Sequence, residues 1–293
     1  MELQDLIKKV HELELIGSKN AYSILTGDYV TKFPGRGLLF HEARKYVPGE
    51  SIRLIDWNMT ARLGEPYVKV LLEEREREII VALDMSPSMF SGWQDKTKIE
   101  YAIELAATLS VSGIKSRDKV GLVLFNNNVL KSLRPISGRI QLFRCLKSML
   151  LGMEDYRDWE GETDIRSVFH EIQKNRNKRY IVFIISDFID RDIPDDLKFV
   201  RAGHDVSFLH VYDPLEYEMA NEILIPSYSP EKEEDKRNTG ILHPGEVGSL
   251  EEIQNYLKNE SIKYKVTFDS FATNEPISKK LKDFFHKKKK RVL

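Results

Sequence analysis

Apolar residues recur along this chain in two rhythms, one of period three to four and one of unbroken short runs. Leu3, Leu6, Ile7, Val10, Leu13 and Ile16 repeat at spacings of three and four with charge between them, which predicts an amphipathic N-terminal helix. After the charged stretch Glu73 to Glu78 the texture changes: Ile79 to Leu83 is a continuous apolar run closed by Asp84, the pattern of a strand covered on both faces. Ile99, Ala102, Ile103, Ala106 and Leu109 return to helical spacing, and Val120 to Phe125 is a second buried strand. The turn-like Asn126-Asn127-Asn128 then joins it to a strand at 129–134, predicting an antiparallel edge hairpin. Helices follow over 137–151 and 164–176, and Tyr180 to Ile185 is the most apolar strand, closed by Ser186-Asp187. Helix 195–202, strand 205–212, helix 249–258, strand 262–268 and helix 276–287 complete the alternation. The expected fold is α/β: a doubly wound, mostly parallel sheet with helices on both faces and one antiparallel edge strand. The chain divides into a smaller N-terminal segment, residues 1–77, expected to pack on the core, and a sheet domain, residues 78–293. Residues 220–247, poor in apolar side chains, read as a mobile loop within the latter.

Composition narrows the function classes. Forty-five Lys and Arg against 46 Asp and Glu leave a net charge of −1, so no broad field draws the chain to nucleic acid or anionic membrane. The single cysteine, Cys145, excludes an internal disulfide and makes a cysteine-based zinc site a poor reading. The sequence offers no signal-peptide pattern and no apolar run long enough for a membrane span, which places it in the cytoplasm as an expectation. A basic run, Lys287 to Arg291, follows the last helix and is either a solvated tail or a peripheral contact for anionic lipid or an acidic partner.

Ligands of open α/β sheets bind at the carboxyl ends of the strands, so the polar residues that close the apolar runs carry the candidate chemistry. Asp84-Met85-Ser86-Pro87-Ser88 offers a carboxylate and two hydroxyls at alternate positions, Thr163 a hydroxyl before a helix, and Asp187 a second strand-end carboxylate. Five oxygen donors and no soft ligand suit a hard divalent cation, Mg²⁺ or Mn²⁺. Taken together and in this order, Asp84, Ser86, Ser88, Thr163 and Asp187 resemble the metal-ion-dependent adhesion site of von Willebrand factor A domains. The resemblance implies a cation held by the hydroxyls, with the aspartates bound directly or through water, and an open position filled by a carboxylate of a partner protein. Met89, Glu162 and Phe188, flanking these positions, are the candidate partner contacts.

Residues 34–78 narrow the resemblance. Arg44, Tyr46, Pro48, Gly49, Glu50, Arg53, Ile55, Asp56 and Trp57, followed by Ala61, Arg62 and Lys69, are similar to the signature of a bacterial family known as domain of unknown function fifty-eight, with Glu50 where the family usually has Asp. Its members join such a segment to a von Willebrand A-like domain, and membership implies a MoxR-type AAA+ ATPase as partner in chaperone-like complex maturation. From the residues alone, Arg44, Arg53 and Arg62 with Asp56 between them are expected to form charge-assisted pairs that staple the segment down; a basic surface with Tyr46 and Trp57 free to stack nucleic acid is the competing reading. Glu42, Glu50 and Asp56 dilute that field, and no nucleic acid is expected. The alternative function is a Mg²⁺-dependent phosphoester hydrolase. Against it, position 86 is Ser where such phosphotransferases need a second carboxylate, and neither a phosphate-binding Gly-Lys loop nor a Gly-x-Ser-x-Gly elbow is present. The expectation is therefore a non-enzymatic, metal-dependent interaction module.

Overall fold

The computed structural model describes residues 3–24, 37–48, 50–74, 76–92, 96–156, 163–175, 178–189, 192–217 and 249–292. They fall into two compact units, one formed by residues 1–32 with 78–293 and the other by 33–77.

In the smaller unit, β1 (Gly37–Lys45) pairs antiparallel with β2 (Tyr67–Glu74), with an irregularity between Phe40 and Glu42. Between them lies the short helix α1′, Trp57–Leu63, whose ends are specified locally. Asp56 accepts from the backbone N–H groups of Asn58 and Met59, and Gly64 ends the helix in the left-handed conformation at φ 73°. Arg44 forms a two-pronged ion pair with Glu50, which also accepts from the N–H of Val47 at 3.1 Å. Glu50 thus fastens the turn that Pro48 begins. The expected arginine staple takes a different form: Arg44 meets Glu50, and Asp56 serves as a helix cap. Trp57 is exposed, and Gly49 lies outside the described residues.

In the larger unit, helix α1 (Leu3–Ile24) precedes β3 (Glu78–Asp84), α2 (Lys98–Lys115), β4 (Lys119–Phe125), β5 (Val129–Ile136), α3 (Arg139–Asp155) and α4 (Arg166–Gln173). There follow β6 (Tyr180–Ser186), α5 (Leu197–Gly203), β7 (Asp205–Tyr212), α6 (Leu250–Lys263), β8 (Thr267–Ala272) and α7 (Ile277–Val292). The sheet order is β5-β4-β3-β6-β7-β8, parallel throughout except for the edge strand β5. The chain winds outward in one direction from β3, then in the other from β6. Each central strand is buried on both faces, as its unbroken apolar run requires. One face packs on α1, α2, α3 and α7 through residues such as Val81, Leu105, Met149 and Phe284; the other packs on α4, α5 and α6 through Ala82, Phe169, Val200 and Leu257. This is the α/β fold expected, including the antiparallel edge.

Three boundaries differ from expectation. Helix α1 belongs with the sheet and not with the N-terminal segment, because Leu6, Val10 and Leu13 are buried in the core of the larger unit, and the helix packs on α2, α3 and α7. The division is thus at residues 33 and 77, not after a single segment 1–77. The last strand begins at Thr267, not 262, because a capping box of Ser249 and Glu252 starts α6, which runs on to Lys263 and turns at Lys265, φ 55°. The last helix continues through the basic run: Lys288 is buried, its ammonium 2.9 Å from Ser207 Oγ and 3.2 Å from Asp205, and Lys287 meets Asp269 at 2.9 Å. The charge of Lys288 is therefore spent inside the fold and that of Lys287 is paired at the surface, so the run is not simply a solvated tail. The loop expected at 220–247 falls outside the described residues.

Candidate metal centre at the switch point

The winding reverses between β3 and β6, and in open α/β sheets the crevice at such a reversal, outside the carboxyl ends of the strands, is where ligands bind. Parallel pairing sets Leu83 opposite Ile185, so both chains leave the sheet at one level and deliver Asp84 and Ser186-Asp187 side by side. Asp84 is fully buried and both its oxygens are directed: Oδ1 accepts from the N–H of Ser86 at 2.8 Å and Oδ2 from the hydroxyl of Ser186 at 2.5 Å. Ser186 Oγ in turn accepts from the N–H of Phe188 at 3.0 Å.

Pro87 opens a single 3₁₀ turn, Pro87–Phe90, that carries the hydroxyls away from the strand. Ser86 Oγ and Ser88 Oγ come within 3.2 Å of each other. Adjacent oxygen ligands of an octahedral cation at about 2.1 Å stand about 3 Å apart, so this pair already has the spacing of one edge of such a shell. Thr163 is brought in from the other side. The N–H of Asp164 donates to the carbonyl of Asn126, just past the end of β4, at 3.1 Å, and Thr163 lines one small crevice with Ser186, Asp187 and Phe188. The five positions predicted from sequence therefore come from three segments to the carboxyl end of β3 and β6.

The candidate partner contacts fare differently. Met89 is fully buried in the core and Phe188 nearly so, against Phe208 with ring centres 5.3 Å apart, so neither side chain offers a partner much surface. Both are apolar residues in a segment that folds back onto the sheet, and burial of their area outweighs display. Glu162 lies outside the described residues.

Two residues that the sequence reading did not select complete the site. Lys98, in the first turn of α2, is completely buried; its ammonium lies 2.9 Å from Asp187 Oδ2 and 2.9 Å from Glu216 Oε2, with Glu216 Oε1 at 3.1 Å. A signal for it existed: a lysine in the first turn of a helix sits against the positive end of the helix dipole and needs a reason to be there. Glu216 follows Asp213-Pro214-Leu215 after β7, and Asp213 fixes that turn by accepting from the N–H of Leu215 at 3.0 Å.

Electrostatics divides the carboxylates. Burial, and then the negative charge of Asp187, push Asp84 up to about 7, and its hydrogen bonds from Ser186 and Ser86 only partly offset this. Burial works to lower Lys98, but attraction from Asp187 and Glu216 outweighs it, and the ammonium is held above its ordinary value. Burial likewise raises Glu216. Asp84 is thus a buried carboxylate whose ionised form lacks a countercharge, which a bound cation would supply. Among the described residues no three His, Cys, Asp or Glu side chains converge as a metal-binding group. A cation here would rest on two carboxylates and on hydroxyls, a donor set that fits a hard ion such as Mg²⁺.

The fold is thus a doubly wound, mostly parallel α/β sheet with one antiparallel edge strand, and hydroxyl and carboxylate side chains lie at its reversal. The chain belongs to the family described as "Protein of unknown function DUF58", which it matches over residues 42–237. It is 26% identical over 215 residues to the uncharacterized protein Rv1480 of Mycobacterium tuberculosis, covering 73% of this chain and 67% of that one, and equally to the uncharacterized protein Mb1516 of Mycobacterium bovis. Among solved structures it is similar to the conserved hypothetical protein BatB from Bacteroides thetaiotaomicron, with a TM-score of 0.51, 18% identity, and coverage of 73% of this chain and 99% of that one. It also matches the SpRpn10 VWA domain, at a TM-score of 0.40 and 12% identity over 72% of this chain and 94% of that one. No helix among the described residues is long and apolar enough to cross a membrane.

Proposed function

We propose that this chain is a divalent-metal-dependent protein-interaction module of the cytoplasm, without catalytic activity of its own, that recognises a carboxylate on a partner protein. The observation that carries the reading is the convergence of Asp84, Ser86, Ser88, Thr163 and Asp187 at the sheet's reversal point, with the two serine hydroxyls already 3.2 Å apart. Ser86, Ser88 and Thr163 would hold the ion through their hydroxyls, with Asp84 and Asp187 bound directly or through water. When bound, Mg²⁺ or Mn²⁺ supplies an electrophilic centre for an external carboxylate. The chain's own part is to hold the donors rigidly: Ser186 orients Asp84, and the tie from Asp164 to Asn126 anchors the segment carrying Thr163. The resemblance stated above points to a MoxR-type AAA+ ATPase as the partner, which would supply energy for complex maturation while this chain supplies recognition.

Two measurements test this. Mg²⁺ or Mn²⁺ is expected to raise the melting temperature of the wild type, as a ligand of the native state must, and Asp84→Ala or Ser86→Ala to abolish that rise. Affinity capture from the native cell is expected to retain the ATPase with Mg²⁺ and to lose it with EDTA or in Asp84→Ala. Mg²⁺-dependent phosphoester turnover lost in Asp84→Ala would instead establish the hydrolase alternative.

A further inference from the structure

Lys98 is the one fully buried cation at the reversal point among the described residues, and it takes an oxygen of Asp187, one of the two carboxylates the metal site depends on. A lysine buried without a functional reason is costly: desolvating the ammonium takes several kcal/mol, and its carboxylates return that only with good geometry. Here the geometry is good, with Asp187 and Glu216 each at 2.9 Å. The pairing also joins three segments distant in sequence: the start of α2, the end of β6 and the turn after β7.

We propose that Lys98 sets the affinity of the site for divalent cations, acting as an internal counter-cation that competes with the metal for Asp187. The inference deepens, and rests on, the reading of this crevice as a metal centre. Asp187 lines the crevice and repels the neighbouring Asp84, Lys98 joins Asp187 to Glu216, and its ammonium cancels one of these three charges. An incoming divalent ion meets that ammonium as a like charge and finds Asp187 already engaged. Lys98 is a positioning residue: it acts through Asp187 and lends the empty site a measure of the charge balance that the metal would provide. Such a site binds its ion weakly enough to exchange it, while the fold survives the exchange. Glu216 tunes this from the far side, since it shares the ammonium with Asp187 and loosens Lys98's hold on it.

The two partners therefore move metal affinity in opposite directions. Mn²⁺ binding by isothermal titration calorimetry, with near-ultraviolet circular dichroism to confirm folding, is measured on the wild type, Lys98→Met and Glu216→Gln. Lys98→Met is expected to bind Mn²⁺ at least about tenfold more tightly than wild type, and Glu216→Gln about threefold or more weakly. A purely structural ion pair would lower stability in both variants and shift affinity as proposed in neither. If the wild type binds Mn²⁺ and a folded Lys98→Met binds it no more tightly, the role of Lys98 is overturned while the metal centre stands. If the wild type does not bind and Lys98→Met does, the lysine holds the site closed to metal; this inference stands and the metal dependence of the native protein falls. Binding by neither overturns both. Should Lys98→Met fail to fold, Glu216→Gln decides: weaker binding supports the competition, and unchanged or tighter binding overturns it.

Discussion

Several buried ionisable side chains make opposed demands on pH. His210 is fully buried, with its Nδ1 3.0 Å from Ser270 Oγ, and burial lowers it to about 3; His204 accepts from the N–H of Tyr180 at 3.1 Å, and burial lowers it to about 4. A histidine whose folded value lies below its unfolded one supports the fold fully above about pH 6.5 and loses that support as the pH falls toward the folded value. Asp84 runs the other way. Its folded value of about 7 exceeds the unfolded one, so it gives most stability below about pH 4, which is lost as the pH rises through 7. Between pH 7 and pH 5 the Asp84 gain and the His210 loss are each on the order of 2 kcal/mol, and His204 adds a further loss, so the metal-free wild type is less stable at pH 5 than at pH 7. Substitution separates them. In EDTA, urea midpoints are expected to fall steeply for Asp84→Asn as the pH drops from 7 to 5, because only the histidine losses remain, whereas in His210→Gln they are expected to stay nearly level, the His204 loss offsetting the Asp84 gain. At pH 8 the Asp84→Asn variant is expected to be more stable than wild type, and equal or lower stability there would show that the Asp84 carboxylate is compensated within the protein.

At the scale of the element, the strand ends were legible because burial on both faces writes an unbroken apolar run, and the first polar residue after such a run must stand where the sheet meets solvent or a ligand. That logic reaches Asp84 and Asp187 directly and Ser86 and Ser88 through their alternation, whereas Thr163 is reached through the resemblance to the adhesion-site pattern. It does not reach Lys98, whose partners lie 89 and 118 positions away, or Ser186, which reads as the last residue of a strand until its hydroxyl is seen to orient Asp84. The edge hairpin was equally legible, but its tightest constraint was not. Gly121 lies where the β4-β5 register shifts, and a Cβ there would stand 2.6 Å from the carbonyl oxygen of Leu133 and 2.9 Å from the backbone nitrogen of Pro135. Backbone atoms cannot swing aside as a side chain can, so β5 would have to move off β4. Gly121→Ala is expected to cost about 1–3 kcal/mol in denaturant unfolding and to accelerate hydrogen exchange along β5 first. An unchanged midpoint would mean that the edge strand yields freely. In the smaller unit, the same reasoning applied to the helix cap predicts a loss of about 1 kcal/mol or less for Asp56→Ala, because the side chain satisfies two N–H groups at a surface where water can partly replace it.

For the whole molecule, the decisive difference between sequence and structure concerns where the sheet unit begins. The amphipathic pattern of residues 3–16 announces a helix but not the surface that receives its apolar stripe, because the receiving helices lie some ninety residues or more further on. In the structure that stripe closes one face of the sheet unit: Leu6, Val10 and Leu13 are buried, and Gly17 lies so close to α2 that a Cβ would reach within 3.0 Å of Val111 Cγ2 and 3.1 Å of the Ala107 carbonyl oxygen. Helix α2 is buried along most of its length because β-strands lie beneath it and α1 above it, and it is the element that carries Lys98 to the reversal point. Removing α1 from the unit would uncover Val111 and its neighbours and loosen the helix that positions the ammonium. Val10→Asp, which buries an unpaired carboxylate in that contact, is expected to destabilise the sheet unit by about 3 kcal/mol or more. The same change made at Leu15, which is exposed on the opposite side of α1, is expected to alter stability by less than about 1 kcal/mol. The readout is the cooperative unfolding transition of the sheet unit, followed by far-ultraviolet circular dichroism. Were residues 1–32 an appendage of the smaller unit, Val10→Asp would leave the sheet transition where it was; a shift of that transition, with Leu15→Asp silent, assigns the first helix to the fold that holds the site.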